Sequence, residues 1–411
     1  MLHCRNGNPK GSSTQIRVLV LLVFVFGSFV VNAQHRTEAS FGKGIKFTPA
    51  DSSFSIKFST RFQTLYRGDY TIDSKDYSDR LLIRRARLKF DGFVADPSLT
   101  YKIELGISNR DHGGGNIAET GFTPRIILDA VVKWQATEHW SIWFGQTKLP
   151  GNRERVISSQ KMQFVDRSLL NATLNLDRDI GVQFWHTNNV GKAGILRKGL
   201  SVSMGEGRDI IASNAGGYDF TFRMDYLPFG DFKGKGDYFG ADLAREPKPK
   251  LAVGFTYDRN VDAVRQRGQL GRYVRLSDGT QLTNTLSTVF IDAMLKYQGW
   301  SFMGEYGNKN GASNEFAVLD DGGTIKYVTG SSINLQSGYL FKNNYEVALR
   351  YTSTKPDNAE FSGLVNQQMY TLGFSKYIVG HSLKLQSDVS YWEIATASNR
   401  WVFEFQVEVS L

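Results

Sequence analysis

The chain has 411 residues, of which 41% are hydrophobic and 13% aromatic, and its 49 basic residues exceed its 40 acidic residues to give a formal net charge of +9. The mean hydropathy is slightly negative, which excludes a bundle of membrane helices over most of the chain. This length allows either two or three soluble domains or one large barrel, so the residue pattern has to decide between them.

One apolar run near the N-terminus has the features of a secretory signal. It covers residues 16–31, has three basic residues before or at its start, Arg5, Lys10 and Arg17, and leads into Val31-Asn32-Ala33, a small-residue pattern of the kind that signal peptidase cleaves. We predict a signal peptide over residues 1–33; the alternative, an uncleaved membrane anchor, is disfavoured because about 16 apolar residues are short for a span. Cleavage would remove Cys4, the only cysteine, and with it any disulfide or thiolate metal site.

From Phe54 onward the sequence alternates apolar and polar residues in runs of about ten, which is the period of a strand with one apolar and one wet face. In the last run, for example, Phe403 and Phe405 share one face while Glu404 lies on the other. We predict sixteen such strands, over residues 54–67, 81–93, 99–108, 125–136, 139–148, 180–187, 198–204, 219–227, 250–258, 287–297, 300–307, 331–341, 345–353, 368–377, 381–392 and 400–411.

The connections between these strands alternate in length. The short ones cover residues 94–98, 137–138, 298–299, 342–344 and 378–380. Such alternation is typical of outer-membrane barrels, which have tight turns in the periplasm and long loops outside the cell. The stretch 228–249 breaks the alternation, so either this turn is elaborated or a strand pair is missing from the prediction. Residues 34–53, before the first strand, are predicted to form a periplasmic N-terminal segment.

The predicted fold class is all-β: a transmembrane antiparallel β-barrel of about sixteen strands over residues 54–411. Inside lipid every backbone N–H and C=O must be paired, and a sheet achieves this only when it closes and leaves no edge. A soluble sandwich or propeller would also alternate, but aromatic residues at strand ends favour the interfacial belts of a barrel. These residues are Tyr66, Trp134, Trp140, Tyr257, Tyr297, Trp300, Tyr339, Tyr351 and Trp401.

The wet faces of the strands carry an excess of bases. In the run 81–93, Arg85, Arg87 and Lys89 share the inward face at two-residue spacing, which predicts a short basic ladder in the lumen, whereas Arg84 falls on the outer face and is expected at the strand's rim. Further inward bases are predicted on other strands: Lys57, Arg61, Arg67, Lys102, Lys133, Arg223, Arg350 and Lys384. We expect a net positive lumen; the alternative is that these bases pair with acids on neighbouring strands and leave a nearly neutral wall.

The connection 149–179 is long and charged, with five bases, among them Arg167 and Arg178, and three acids. A sixteen-stranded barrel leaves an aqueous channel, and a selective constriction requires a segment inside it. We therefore predict that residues 149–179 fold into the lumen as a constriction loop. The alternative is a solvated extracellular loop.

Four short motifs occur in a fixed order along the chain: Arg84-Arg85-Ala86-Arg87-Leu88, Gly145-Gln146-Thr147-Lys148-Leu149-Pro150, Phe164-Val165-Asp166-Arg167 and Asp177-Arg178-Asp179-Ile180-Gly181-Val182. Together they resemble the phosphate-selective porin O and P family over nearly the whole mature chain. The resemblance implies a trimer of sixteen-stranded barrels that passes anions and captures phosphate or pyrophosphate with arginines and a few lysines in a constriction.

Carried over position by position, the resemblance makes Arg85, Arg87 and Lys148 the anion contacts, with Arg167 and Arg178 as further candidates. Two positions depart from the family pattern. Gly151 stands where an aromatic residue usually follows the proline, which changes the shape of the constriction. Leu411 replaces the common terminal phenylalanine, which weakens the last-strand signal for barrel assembly.

We therefore predict an outer-membrane porin that gives passive diffusion of small anions, with no catalytic residues, no metal site, no cofactor and no nucleic-acid partner. Its partners would be phosphate-like anions and outer-membrane lipid, and the resemblance implies a homotrimer. Two other functions stay open: a barrel hydrolase that uses a serine and a histidine at the lumen rim, for example His186, and a structural or adhesive barrel with a plugged lumen.

Overall fold

A computed structural model describes residues 36–109, 111–112, 119–121, 124–276, 278–313, 316–318, 324–357 and 364–411. The predicted signal peptide over residues 1–33 lies outside the described residues. Within the described ranges, no helix has both the length and the apolar character needed to cross a membrane.

The structure is built almost entirely from strands. In chain order they are β1 (Arg36–Ser40), β2 (Gly44–Thr48), β3 (Phe54–Thr71), β4 (Tyr77–Val94), β5 (Asp96–Gly106), β6 (Ile127–Gln135), β7 (Trp140–Lys148), β8 (Arg178–Val190), β9 (Gly194–Ser203), β10 (Asp219–Leu227), β11 (Lys250–Ala263), β12 (Asn284–Tyr297), β13 (Trp300–Gly311), β14 (Phe316–Val318), β15 (Thr324–Lys326), β16 (Gly330–Leu340), β17 (Tyr345–Pro356), β18 (Gln367–Val379), β19 (Leu383–Ile394) and β20 (Arg400–Ser410). The short helices are α1 (Arg153–Val156), α2 (Leu169–Leu174) and a 3₁₀ helix (Lys233–Tyr238).

Sixteen of these strands, β3 to β13 and β16 to β20, form one closed antiparallel barrel. Each pairs with its neighbour in the chain, β13 pairs with β16, and β20 returns to pair with β3. The predicted fold class and all sixteen predicted strands are confirmed. Each barrel strand carries the alternation of apolar and polar residues from which it was predicted. Closure leaves no edge in the barrel, so the backbone groups of each strand are paired with a strand on either side.

Side chains alternate between the two faces of the barrel as the sequence predicts. The outer face is apolar and exposed, as at Phe144, which is 66% exposed, while inward side chains such as Lys296 are almost fully buried. Aromatic residues lie at the strand ends on the outer face, and some pair across neighbouring strands, as Trp300 does with Tyr339 at 4.7 Å between ring centroids. This is the surface that lipid and its interfaces favour.

The pairing of β4 with β3 shifts register once, and this shift changes the predicted position of Arg84. Gln63 pairs with Arg85 and Thr64 with Ile83, so Arg84 is the extra residue of a β-bulge. The Arg84 side chain points inward and binds Asp166. The prediction that Arg84 lies on the outer face at the strand's rim was wrong, because a bulge places two consecutive residues on one face.

The connections at one end of the barrel are short, as predicted, with one exception. β12 and β13 are joined by Gln298 and Gly299, both at positive φ, the two-residue turn that fits the twist of a hairpin. Residues 228–249 contain the 3₁₀ helix and buried turns but no strand pair, so this is an elaborated turn. It folds inward: Phe232 packs with Ile157 and two inward methionines of the barrel wall.

Residues 36–48 form a hairpin that the sequence pattern does not predict. Phe47 of β2 pairs with Ile56 of β3, beyond the point where Ser410 of β20 makes its last pair with Arg61. The hairpin therefore extends the sheet past the end of the C-terminal strand. Five-residue strands are too short for alternation to identify them in a stretch of mixed polarity.

Candidate functional site: the channel and its constriction

Residues 149–177, which we call the inner loop, lie inside the barrel and bind its inner wall. Arg153 lies between two acids of the wall, with Nη2 2.5 Å from Asp225 and Nε 2.6 Å from Asp292. The backbone N–H of Val165 donates to Asp388 at 2.8 Å, on the far side of the barrel. The inner loop is thus tied to wall strands from β10 to β19.

Further contacts fix the middle of the inner loop and its start. Gln163 donates to Ser301 at 2.9 Å and to Glu346 at 2.7 Å. Lys148, at the end of β7, donates to three backbone carbonyls at the end of α1, the nearest being that of Arg155 at 2.7 Å. Three donors are all that an ammonium group has, so in this arrangement Lys148 holds the inner loop rather than facing an anion.

The inner loop lies against the acidic half of the wall. Among the described strands β10 to β20, the buried charged side chains include nine acids against five bases. The acids are Asp219, Asp225, Asp258, Asp292, Glu305, Glu346, Asp388, Glu404 and Glu408, and the bases are Arg223, Lys296, Lys309, Arg350 and Lys384. None of these nine acids lines the cavity that stays open in the lumen.

That cavity has a volume of about 1270 Å³ and lies between the inner loop, the wall strands β4 to β10 and the elaborated turn 228–249. Its bases are Arg84, Arg85, Arg87, Lys102, Lys133, Lys148, Arg155, Arg167, Arg178, Arg197, Arg208, Arg223 and Lys235. Its acids are Glu104, Asp111, Asp129, Asp166, Asp177 and Asp231. Thirteen bases against six acids give the open part of the lumen a strongly positive lining.

Part of this lining is a chain of alternating charges across neighbouring strands. Arg87 lies 2.8 Å from Glu104, Glu104 lies 2.7 Å from Lys102, and Lys102 lies 2.8 Å from Asp129. Asp129 in turn binds Arg178 at 3.1 Å. For these positions the alternative of a nearly neutral wall describes the structure better than an unpaired ladder.

Other cations of the lining form no salt bridge with any residue of the described ranges. The Nζ of Lys133 lies 3.4 Å from the centroid of the Trp143 ring. Arg167 donates to backbone carbonyls of the inner loop, and Arg208 donates to the carbonyls of Ile127 and Asp111. No carboxylate of the described residues forms a salt bridge with them, and they contribute three charges to the positive excess of the cavity.

The bulge of β4 and the inner loop together form a cluster of two arginines and one acid. The Asp166 carboxylate accepts hydrogen bonds from Arg84 Nη2 at 2.6 Å and Nε at 3.2 Å, and Arg85 Nη2 lies 3.8 Å away. Burial raises the pKa of the Asp166 carboxyl, but the two arginines more than offset it and hold it at about 2. Asp166 therefore stays ionised, and the cluster keeps one positive charge in excess.

Arg155 is the cation of the inner loop most affected by its neighbours. Burial and the adjacent Arg167 and Arg178 hold its pKa well below its usual range, and it binds Asp177. The side-chain Nε of Arg155 has no hydrogen-bond partner among the described residues. Cations that are buried, crowded and incompletely paired form a site where an anion would be stabilised.

The residues predicted from the sequence divide into two groups. Those that line the cavity are Arg85, Arg87, Lys102, Lys133, Lys148, Arg167, Arg178 and Arg223. The other predicted bases do not, Arg61 and Lys89 among them: Arg61 is buried behind the inner loop, where it binds Ser159 and Glu408, and Lys89 pairs with Asp91 at 2.8 Å.

Five lining bases escaped the prediction: Arg84, Arg155, Arg197, Arg208 and Lys235. Arg84 was misplaced by the bulge, and Arg155 lies on a helix of four residues that no periodicity reveals. Arg208 lies in the connection between β9 and β10. No pattern in the sequence indicates that this connection contributes a side chain to the lumen.

The structure also bears on the hydrolase alternative. His186 belongs to the outer face of β8 and packs on Trp140 at 4.5 Å between ring centroids, so it does not point into the lumen. Across the described ranges, no group of three or more His, Cys, Asp or Glu residues is arranged to hold a metal ion.

Comparison with known proteins gives one family match and several likenesses. The model of the phosphate-selective porin O and P family matches residues 56–396. An uncharacterized protein of Aquifex aeolicus (strain VF5) is 22% identical over 346 residues, 77% of each chain. Among solved structures, OprB of Pseudomonas putida has a TM-score of 0.51 at 10% identity and covers 87% of this chain and 94% of its own. At that identity the likeness concerns the fold alone.

Proposed function

The chain belongs to the phosphate-selective porin O and P family and is an outer-membrane porin, and we propose that its channel favours small anions, phosphate among them. The observation that carries the proposal is the unequal lining of the open cavity, with thirteen bases and six acids. At physiological salt the Debye length is about 8 Å, so wall charges govern ion choice where the passage is narrow. In this channel the inner loop narrows the passage.

The mechanism we propose is passive. Cations that lack a carboxylate partner, Lys133, Arg167 and Arg208, raise the anion concentration in the cavity. An entering anion then exchanges between neighbouring shallow sites, each weak enough to release it. Arginine suits phosphate oxygens because its fork donates two hydrogen bonds, and lysine adds a point charge.

Within the paired part of the lining, the carboxylates set how tightly an anion binds. Arg87, Lys102 and Arg178 each bind an acid already, so phosphate would have to compete with Glu104 or Asp129 for their donors. Competition of this kind weakens binding and speeds release, which is what a diffusion channel requires. We therefore assign Arg85, Arg87, Lys102 and Arg178 to transient anion contact, and Lys148 to support of the inner loop.

Four further parts of the proposal concern export and assembly. We propose that residues 1–33 are a signal peptide removed on export, that residues 34–53 lie in the periplasm, that the porin acts as a channel without catalysis or cofactor, and that three copies assemble in outer-membrane lipid. The family resemblance supports the trimer, and the exposed apolar outer face supports contact with lipid. A measured molecular mass of the detergent-solubilised protein and its mature N-terminal sequence test these points.

The test of anion preference is a planar-bilayer recording in a tenfold gradient of potassium chloride. We expect a reversal potential displaced towards the chloride equilibrium potential, and a smaller displacement in the double variant Lys133→Gln, Arg208→Gln. Each lost charge should lower the anion-to-cation permeability ratio by about threefold, since two unit charges 6 Å apart interact by about 0.7 kcal/mol in water.

Lys342→Gln is the matched control, because Lys342 is exposed in a short turn outside the cavity. It should leave the reversal potential unchanged. A wild-type reversal potential at or beyond zero towards potassium contradicts the proposal, and absence of any conductance favours the plugged barrel. Added phosphate that reduces the chloride current would extend the preference to phosphate.

A further inference from the structure

We propose that Trp143 and Trp185 form a stacking shelf inside the channel, and that its preferred solutes are organic anions that carry a ring. The inference rests on the proposed anion preference and narrows it to a substrate class. The described lining of the cavity includes four aromatic residues, the two tryptophans with Phe232 and Tyr238. All four lie in the half towards the short turns, whereas the arginine-rich constriction beside the inner loop lies above them.

The two indole rings are held in fixed planes. The ring N–H of Trp143 donates to Ser141 at 2.7 Å, and that of Trp185 donates to Gln183 at 3.1 Å. The ring centroids are 5.4 Å apart with an interplanar angle of 34°. Rings with satisfied N–H groups and fixed planes present an apolar surface at little entropic cost to a ligand.

Gly199 on the neighbouring strand shows how Trp185 lies. Three atoms of its six-membered ring are 2.8 to 2.9 Å from the position that a Cβ of Gly199 would occupy. Because these distances are nearly equal, the face of the ring, not its edge, covers the glycine. Trp185 therefore lies flat on the barrel wall, and its other face is turned away from the wall towards the cavity. A side chain at position 199 would lift the ring.

Positive charge stands beside the shelf. Lys133 lies over the Trp143 ring and forms no salt bridge with any described residue, and Lys235 lines the same part of the cavity. Arg197 also lies there, but it is paired with Asp231 and Asp237. Inorganic phosphate is hydrated on all sides and gains nothing from an indole face. A phosphate or carboxylate attached to a ring satisfies both features, because the ring covers apolar surface while the anion pairs with Lys133.

The size of the cavity agrees with such a solute. Its volume of about 1270 Å³ exceeds the roughly 300–1,000 Å³ of pockets that hold ring-containing organic molecules, so a sugar phosphate or an aryl phosphate fits beside the shelf. An aromatic ring and the C–H face of a pyranose ring stack on tryptophan by the same apolar contact. The experiment below separates these two sources of a ring.

The test measures block of the chloride current by three probes: inorganic phosphate, phenyl phosphate and glucose 6-phosphate. We expect at least one ring-bearing probe to block at lower concentration than inorganic phosphate. In Trp185→Leu that advantage should shrink by about threefold to tenfold, the range expected for one aromatic contact, while block by inorganic phosphate stays unchanged. Gly199→Ala should act in the same direction because it displaces the ring without removing it.

Trp134→Leu is the matched control, since Trp134 lies on the outer face of the barrel, is 49% exposed, and should leave block by every probe unchanged. The chloride conductance of each variant in the same recording shows that it has folded. An anion-selective wild type that binds all three probes equally, or a Trp185→Leu channel that keeps the full advantage, overturns the shelf alone. A wild type that is not anion-selective overturns the proposed function first.

Discussion

At the scale of single residues, the direction of a side chain was predictable and its partner was not. Alternation places Arg85, Arg87 and Lys133 inward, and the structure agrees. Alternation says nothing of partners, since Glu104 reaches Arg87 only through the pairing of β4 with β5. It also fails at Arg84, because the extra residue of the bulge shifts the phase of the alternation: Ile83 lies on the outer face before the bulge and Ala86 after it, so a single phase read through the whole strand places Arg84 on the wrong face.

The cluster of Arg84, Arg85 and Asp166 allows a prediction with two opposite signs. Asp166→Asn removes one negative charge and leaves two arginines beside the cavity, so we expect the reversal potential to move towards that of chloride. Arg84→Gln leaves one arginine and one acid, and should move it the other way. The permeability ratio should change by about threefold in each case. Shifts of the same sign in both variants would show that the charges of this cluster do not set selectivity.

The pKa of Asp166 predicts how this difference depends on pH. Its folded-state pKa of about 2 lies below the ordinary value of 3.8, so the ion pair stabilises the folded protein above about pH 4 and is lost only as the pH falls through 2. The difference in reversal potential between wild type and Asp166→Asn should therefore be about the same at pH 7 and pH 3, where a carboxyl with the ordinary pKa would be mostly protonated. Recordings at both values test this, and a difference that largely disappears at pH 3 would show that the arginines do not hold the carboxyl ionised.

At the scale of secondary-structure elements, the strands could be found from the sequence and the inner loop could not. Each barrel strand has one face in contact with the exterior and one with the lumen, so the period of two is present in every strand. The helices α1 and α2 span four and six residues, too few for a helical period to appear. Their position depends on contacts such as Arg153 with Asp292, which join residues far apart in the chain.

Lys148 fixes the inner loop where the loop joins β7, so replacing the Lys148 side chain should loosen the inner loop. Lys148→Met deletes three hydrogen bonds from an ammonium group to carbonyls at the end of α1. Hydrogen bonds to charged groups contribute about 1.5–3 kcal/mol, so trypsin should cleave the inner loop at least about tenfold faster. The noise of the open-channel current should also rise, because a looser inner loop moves in the passage.

Lys133→Met is the control for cleavage, because Lys133 is also inward on a neighbouring strand yet has no hydrogen bond to the inner loop among the described contacts. It should change selectivity and leave proteolysis of the inner loop at the wild-type rate. Equal cleavage rates in both variants and the wild type would mean that contacts deeper in the lumen, such as that of Gln163 with Glu346, hold the loop without Lys148.

At the scale of the whole molecule, the two halves of the barrel wall differ in the charge of their inward side chains. Strands β10 to β20 carry nine buried acids and five buried bases, and the inner loop lies against them, while the open cavity faces the basic strands β4 to β9. The sequence predicted a positive lumen from counts over all the wet faces, which treats both halves alike. The positive cavity arises from which half the inner loop covers, and that depends on long-range contacts that no local pattern records.

This division predicts that the inner loop creates anion preference by covering acids as well as by narrowing the passage. Lys148 pairs with Arg178, so the ends of β7 and β8 are adjacent and a four-residue glycine-serine turn can replace residues 150–176. The conductance should rise by about twofold or more, since an empty sixteen-stranded barrel leaves a wide aqueous channel. The reversal potential should pass through zero towards potassium, because Asp225, Asp292 and their neighbours would then face the ions.

A wider passage alone would also weaken selectivity. A second variant therefore separates the effect of width from the effect of the uncovered acids. The loopless barrel with Asp225→Asn and Asp292→Asn keeps the wide passage but lacks two of the uncovered acids, and Arg223 between them loses its partners. Its reversal potential should return towards that of chloride at unchanged conductance. If both loopless barrels are equally unselective, the inner loop acts by its width only, and the charge of the wall behind it has no part in selectivity.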